Sequence, residues 1–199
     1  MAKSGRRVTT ARLRLHAFEP LSRANGPGVR ATIWVQGCSL ACPGCLNPQT
    51  HADGGGSLVA VEDLITRIAA LGNAIEGLSV SGGEPLEQAP AVAALSDGVR
   101  RETGLSVLVF TGFRWDEIKR LPNAELLLAS IDVLIAGRYD RRRPARPDQR
   151  YLRGSTNQTV HLLTGRYTLE ELQDVPPGEV IITAGGDVMV SGTEAPDLT

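Results

Sequence analysis

The run Ala31-Thr32-Ile33-Trp34-Val35-Gln36-Gly37-Cys38-Ser39-Leu40-Ala41-Cys42-Pro43-Gly44-Cys45 sets the architecture of the chain. Its first five residues are an apolar stretch of the kind that forms a buried strand, and Gly37 frees the backbone to turn out of it. The turn leads into C-x3-C-x2-C, which holds all three cysteines of the protein. A ligand loop at the C-terminal end of a core strand is where parallel α/β barrels place their chemistry. Three thiolates in one short loop can bind three irons of a 4Fe-4S cluster, whereas a cluster that only carries electrons is normally held by four cysteines. The remaining iron is then open to a small molecule bearing an amine and a carboxylate. Zinc is the competing reading, because Cys38, Cys42, Cys45 and His51 give C-x3-C-x2-C-x5-H, a donor set that satisfies tetrahedral zinc.

Outward from this loop the chain alternates strand and helix patterns. Leu13 to Phe18 alternates apolar and polar residues as a strand, and a turn-rich link spans Glu19 to Gly28. Beyond the cysteines, Leu46 to Ser57 reads as a flexible connection. Val61, Leu64, Ile65, Ile68 and Leu71 carry the spacing of an amphipathic helix. Strand Gly77 to Ser81 then runs into Gly82-Gly83-Glu84-Pro85, where two glycines let a ligand approach the main chain. Pro90 opens a second helix with Val92, Leu95 and Val99 inward and Gly104 as its stop. Leu105 to Phe110 and Ile131 to Ala136 are apolar throughout, as strands buried on both faces are. Short helices are expected at Glu117 to Leu121 and Ala124 to Ser130, and a strand at Thr159 to Leu163. The pattern predicts an α/β fold with a parallel sheet covered by helices. Too few units are present to close eight strands, so the expectation is an open, partial TIM-like barrel. Residues 1–12 form a basic N-terminal segment, 13–165 the core domain, and 166–199 an extension. In the extension, Glu179 to Ala184 and Asp187 to Ser191 flank Gly185-Gly186 as a β-hairpin.

Several motifs in one order resemble the radical S-adenosylmethionine enzymes that activate glycyl-radical enzymes. They are Asn25-Gly26-Pro27-Gly28-Val29-Arg30, Gln36-Gly37-Cys38, Cys42-Pro43-Gly44-Cys45-Leu46-Asn47, Ser81-Gly82-Gly83-Glu84-Pro85-Leu86, Thr111-Gly112-Phe113, Asp132-Val133-Leu134-Ile135 and Arg153-Gly154-Ser155-Thr156-Asn157-Gln158. The activase of anaerobic ribonucleotide reductase is the nearer likeness and that of pyruvate formate-lyase the more distant. The resemblance implies one 4Fe-4S cluster on Cys38, Cys42 and Cys45. It implies S-adenosylmethionine held near Gly44, Ser81, Gly82, Gly83, Glu84 and Thr111, with the amino group received by backbone oxygens and Glu84 orienting the loop. Arg138, Ser155, Asn157 and Gln158 become candidate contacts to cofactor or substrate. The implied reaction is reductive cleavage of S-adenosylmethionine to a 5'-deoxyadenosyl radical, which takes a hydrogen from a glycine α-carbon of a partner such as anaerobic ribonucleotide reductase. No residue serves as a general acid or base in it. A flavodoxin or ferredoxin is the implied electron donor.

Composition is that of an ordinary globular domain: 199 residues, 42% apolar, 22% charged, formal net charge -1. That balance gives the whole molecule no bias toward nucleic acid or membrane. No apolar run approaches the roughly 18 residues of a membrane span, and none after Arg6-Arg7 serves as a signal-peptide core, so a cytoplasmic protein with reduced cysteines is expected.

Two features depart from the activase pattern. Ala136 stands where an acidic residue is expected at the end of its strand, and the C-terminal hairpin is an addition. Both leave open a radical enzyme acting on another peptide or small molecule. The arginine-rich stretch Arg138 to Arg153 reads as a solvated loop, as a docking surface for an acidic partner or, third, as a nucleic-acid contact.

Overall fold

The computed structural model describes residues 10–182, 186 and 188–194. In chain order the elements are β1 (Arg12–Ser22), β2 (Arg30–Val35), β3 (Ser57–Ala60), α1 (Val61–Ala69), β4 (Gly77–Gly82), α2 (Ala89–Thr103), β5 (Ser106–Thr111), α3 (Trp115–Ile118) and α4 (Ala124–Ser130). They continue with β6 (Val133–Ala136), β7 (Thr159–Leu162), α5 (Leu169–Gln173), β8 (Gly178–Ile182) and β9 (Val188–Gly192).

Seven strands form one open mixed sheet in the order β3-β1-β2-β4-β5-β6-β7, with β3 and β7 at its edges. The four central strands β2, β4, β5 and β6 are parallel, while β1, β3 and β7 run antiparallel to their neighbours. The expected parallel sheet is therefore confined to the centre. β3 begins at Ser57, where the stretch read as a flexible connection ends, and its short, half-exposed Ser-Leu-Val-Ala sequence shows no core periodicity. Pairing with Arg12 to Leu15 of β1 is what makes it a strand. No closed barrel forms among the described residues.

Each central strand is buried on both faces. Helices α1, α2 and α4 pack on one face, where Ile33, Val35, Val80, Val107 and Val109 meet Leu64, Ile65, Ile68, Leu95, Val99 and Leu127. Each fully buried aliphatic side chain of this kind stabilises the fold by about 1.5–3 kcal/mol. The other face carries a smaller core of Leu108, Val133, Ile135, Leu152 and Leu172, roofed by the segment around Tyr151 and by α5. Helix α2 stops at Gly104, which adopts φ 70° and returns its N–H to the Arg100 carbonyl, as the sequence predicts.

The hairpin β8–β9 forms a separate two-stranded sheet. Its Gly185 turn residue, like Met1 to Thr9 of the basic N-terminal segment, lies outside the described residues. Its inner face is tied to the core: Glu179 accepts hydrogen bonds from the Ser22 hydroxyl and the Arg23 N–H, and Ser191 accepts one from the Asn25 amide.

Beneath the sheet, Arg30 is fully buried, with no carboxylate in direct contact among the described residues. It donates to Ser79, Ser106, Tyr167 and the carbonyls of Pro27, Leu78 and Ser106. Burial pulls its guanidinium below the usual value. Six acceptors around one charge fasten β2, β4 and β5 together at their N-terminal ends, away from the loops that carry the cysteines.

Candidate functional site

Parallel strands in register bring their C-terminal ends to one rim. Val35 pairs with Gly82, and Thr111 with Ala136, so the loops after β2, β4, β5 and β6 open side by side. The loop after β2 is the cysteine loop. It is bound to the loop after β4 by main-chain hydrogen bonds: Gly83 N–H to Val35 O at 2.8 Å and Glu84 N–H to Gly37 O at 2.8 Å. On its other side Gly37 and Cys38 donate to the carbonyls of Thr50 and His51. Gly82 sits at φ 100°, and a Cβ on Gly83 would lie 2.2 Å from the Gly37 oxygen, so this junction admits only glycines.

Glu84 is buried and accepts three hydrogen bonds: from Leu86 N–H at 2.9 Å, Thr111 Oγ1 at 2.7 Å and Gly112 N–H at 2.8 Å. Burial pushes its carboxyl up to about 7, while these three donors pull the other way. The side chain ties β4 to β5 and presents no free oxygen to a ligand. Glu87, in the turn Pro85–Gln88, accepts from the Ser39 N–H at 3.1 Å and from the Ser39 hydroxyl. Leu40 reaches across to Gly112, and Gln36 braces the far side of the loop through His16 and the Gln49 and Ala52 carbonyls.

These loops line a cavity that is open to solvent on one side. Cys38, Cys42 and Cys45 line it, with Ser81, Gly82, Gly83, Glu84, Thr111 and Gln158 around them. Gly44 lies beside the cavity, its open side covered by the stem of Arg141. The three thiols are half-buried and unpaired, and burial raises the thiols of Cys38 and Cys42. Three soft donors on one cavity wall suit iron-sulfur ligation. Among the described residues, no group of three His, Cys, Asp or Glu side chains is gathered as a single ion requires. His51 also lines the cavity, and its Nε2 is buried with no hydrogen-bond partner in the protein. An orphaned nitrogen beside three thiols fits a bound group that accepts its proton, in the tautomer that carries one there.

The other sequence candidates fall elsewhere. Arg138 and Asn157 line a second, adjacent hollow with Arg114, Tyr139, Asp140 and Arg143. Arg138 pairs with Glu117 at 2.6 Å, and Asn157 donates to the Arg138 carbonyl. Ser155 is fully buried and accepts from the Asp140 N–H. Gln158 lines the main cavity, yet its amide oxygen accepts from Gly154 and Ser155 and its nitrogen donates to the Gly137 carbonyl. The polar atoms of this motif are spent chiefly on folding the segment after β6. Asn25, Phe110, Tyr139, Leu152, Gly192 and Thr193 also line the cavity. Only Asn25 had a signal in sequence, through its place in the Asn-Gly-Pro-Gly turn.

A family model described as a 4Fe-4S single cluster domain matches residues 24–161. Curated relatives are called anaerobic ribonucleoside-triphosphate reductase-activating protein. That of Salmonella typhi is 36% identical over 159 residues, 76% of this chain and 99% of the relative. That of Escherichia coli K12 is 35% identical over 161 residues, 74% of this chain and 97% of the relative. The chain belongs to this family of activating proteins. Enterobacteria phage T4 supplies a member at 31% identity over 145 residues, 71% of this chain and 88% of the relative. The matched domain contains the cysteine loop, the Gly-Gly-Glu loop and the Ser155 to Gln158 motif. It ends before α5 and the hairpin, so in this family member Gly192 and Thr193 reach the cavity from outside the matched domain. Among the described residues no helix is long and apolar enough to cross a membrane.

Proposed function

We propose that the protein is a radical S-adenosylmethionine oxidoreductase that installs a glycyl radical on an anaerobic ribonucleoside-triphosphate reductase. The observation that carries this reading is the placement of three unpaired thiols and the Gly82-Gly83 main chain on one cavity, fastened together through Glu84 and Gly37. Cys38, Cys42 and Cys45 would hold a 4Fe-4S cluster. Such a cluster would supply the electron for reductive cleavage of S-adenosylmethionine and so the radical chemistry needed to take a hydrogen from glycine.

The chain's own residues bind, orient and shield. Ser81, Gly82 and Gly83 offer a main-chain edge without bulky side chains for the amino group of S-adenosylmethionine, with Gly44 and Thr111 at its margins. Glu84 holds that edge to the end of β5. Leu40, Phe110, Tyr139 and Leu152 give the cavity apolar walls that exclude water. His51 Nε2, unpartnered within the protein, would supply a hydrogen-bond donor to a bound cluster. No acid or base is required.

The open sheet, with four parallel strands delivering their loops to one rim, supports a partial TIM-like barrel spanning 13–165. Residues 166–199 are an extension, of which Gly192 and Thr193 line the cavity. Reduced, unpaired cysteines suit the cytoplasm, where flavodoxin or ferredoxin would donate electrons. Ala136 at the end of β6 and the hairpin's reach into the cavity favour a second reading, the same chemistry on a different peptide or small molecule. The deciding experiment incubates the reduced, cluster-loaded protein with S-adenosylmethionine and the purified reductase. A glycyl-radical signal by electron paramagnetic resonance supports the proposal. Cleavage of S-adenosylmethionine with no protein radical points to the second reading.

A further inference from the structure

The segment Arg138 to Arg153 contains seven arginines and two aspartates, so it carries +5 within a chain whose net charge is -1. It is folded rather than loose. Main-chain hydrogen bonds join Ala145 to Gly154 and Thr156 to Arg143, a β-bridge pairs Pro144 with Ser155, and Arg153 donates to the carbonyls of Gln149 and Gln158. Arg138 and Arg150 are consumed by ion pairs with Glu117 and Glu194. Arg142 and Arg143 share the single carboxylate of Asp140, and Arg142 is 88% exposed. Arg141 and Arg146 are exposed with no ion pair among the described residues. A folded loop that presents four arginines against the two carboxylates of Asp140 and Asp148 keeps a net positive face pre-organised for an anionic partner.

The surface adjoins the cavity. Arg141 lies on Gly44 of the cysteine loop, while Tyr139, Leu152 and Gly154, from the same segment, line the cavity. Tyr151 packs in the core beneath the sheet under Arg153, and Tyr139 faces the cavity and Gly154. Tyr139 also borders the second hollow beside Arg143, but one half-buried ring gives no succession of stacking platforms of the kind single-stranded nucleic-acid sites use.

We propose that Arg141, Arg142, Arg143 and Arg146 form the docking surface for an acidic polypeptide segment of the partner that delivers its glycine to the cavity. This rests on the proposed activation of a reductase. Long-range attraction would steer the partner and fix its register at the cavity mouth, with a strong dependence on salt.

The test uses the cluster-loaded full-length protein and the double variant Arg142→Glu, Arg146→Glu, two side chains that touch neither cluster loop nor cavity. Binding is measured for the purified reductase, for a polyglutamate peptide and for single-stranded DNA of equal charge, over a range of sodium chloride concentrations. The proposal expects at least tenfold weaker binding of the reductase by the variant at low salt, a shallower salt dependence, and unchanged iron content and partner-free cleavage of S-adenosylmethionine. Equal binding by wild type and variant overturns the docking surface and leaves the activase reading intact. If neither form binds the reductase, the activase reading fails and the peptide arm decides. Loss of polyglutamate binding in the variant then supports an acidic partner, and its retention overturns one. Tighter binding of DNA than of polyglutamate also overturns the proposal.

Discussion

The Glu84 carboxylate lies 2.7 Å from the Thr111 hydroxyl, and this contact joins the ends of two adjacent parallel strands inside the candidate site. Together with the Gly112 N–H it makes Glu84 a strut between β4 and β5. Glu84→Ala would strand three buried donors and open a void beneath the cavity. It is expected to lower stability by about 2–4 kcal/mol, measured as a fall in the urea midpoint of the apoprotein.

The same residue sets a pH dependence. Its carboxyl titrates at about 7 when folded and at 4.5 as the reference value, so between these limits the folded state binds more protons than the unfolded one. Stability from this group is fully present below pH 4.5 and is lost as pH rises toward 7, by about 3 kcal/mol. Glu84→Gln removes this slope. Urea titrations of both proteins at pH 5 and pH 7.5 test it, and equal slopes would refute the assignment.

Glu87 pins Ser39 of the cysteine loop from the turn after β4. The contact is exposed and so worth only about 1 kcal/mol. Glu87→Ala is therefore expected to leave the fold intact and to speed iron release to a chelator severalfold. Unchanged release would mean that Glu87 does not restrain the loop.

His51 offers its unpartnered Nε2 to the cavity. Hydrogen bonds to cluster sulfurs raise reduction potential, so His51→Leu is expected to lower it. A tenfold change in the one-electron equilibrium corresponds to about 59 mV, well within reach of a redox titration followed by electron paramagnetic resonance. An unaltered potential would place the ring away from the cluster.

Gly83→Ala puts a methyl 2.2 Å from the Gly37 oxygen. It is expected to separate the two loops and abolish cluster loading while the helices survive, read by iron content and circular dichroism.

Much of this site was legible in the residues themselves. The apolar runs of β2, β4, β5 and β6 announce buried strands, and the cysteines and glycines sit where those runs stop. What stayed hidden depends on contacts distant in sequence. β3 is a strand only because β1 pairs with it. Glu87 looks like any exposed acid until Ser39, 48 positions away, folds against it. Ser155, Asn157 and Gln158 carry the family's motif, yet their hydrogen bonds go to neighbouring main chain. Gly192 and Thr193 reach the cavity because Glu179 and Ser191 dock the hairpin, which no local pattern could signal.

The most direct measurement is iron, sulfide and zinc analysis of anaerobically prepared protein, with electron paramagnetic resonance of the dithionite-reduced sample before and after addition of S-adenosylmethionine. The account predicts about four irons per chain, a cluster signal that changes when S-adenosylmethionine is added, and loss of both in Cys38→Ser, Cys42→Ser or Cys45→Ser. One zinc per chain with no cluster after reconstitution would contradict it.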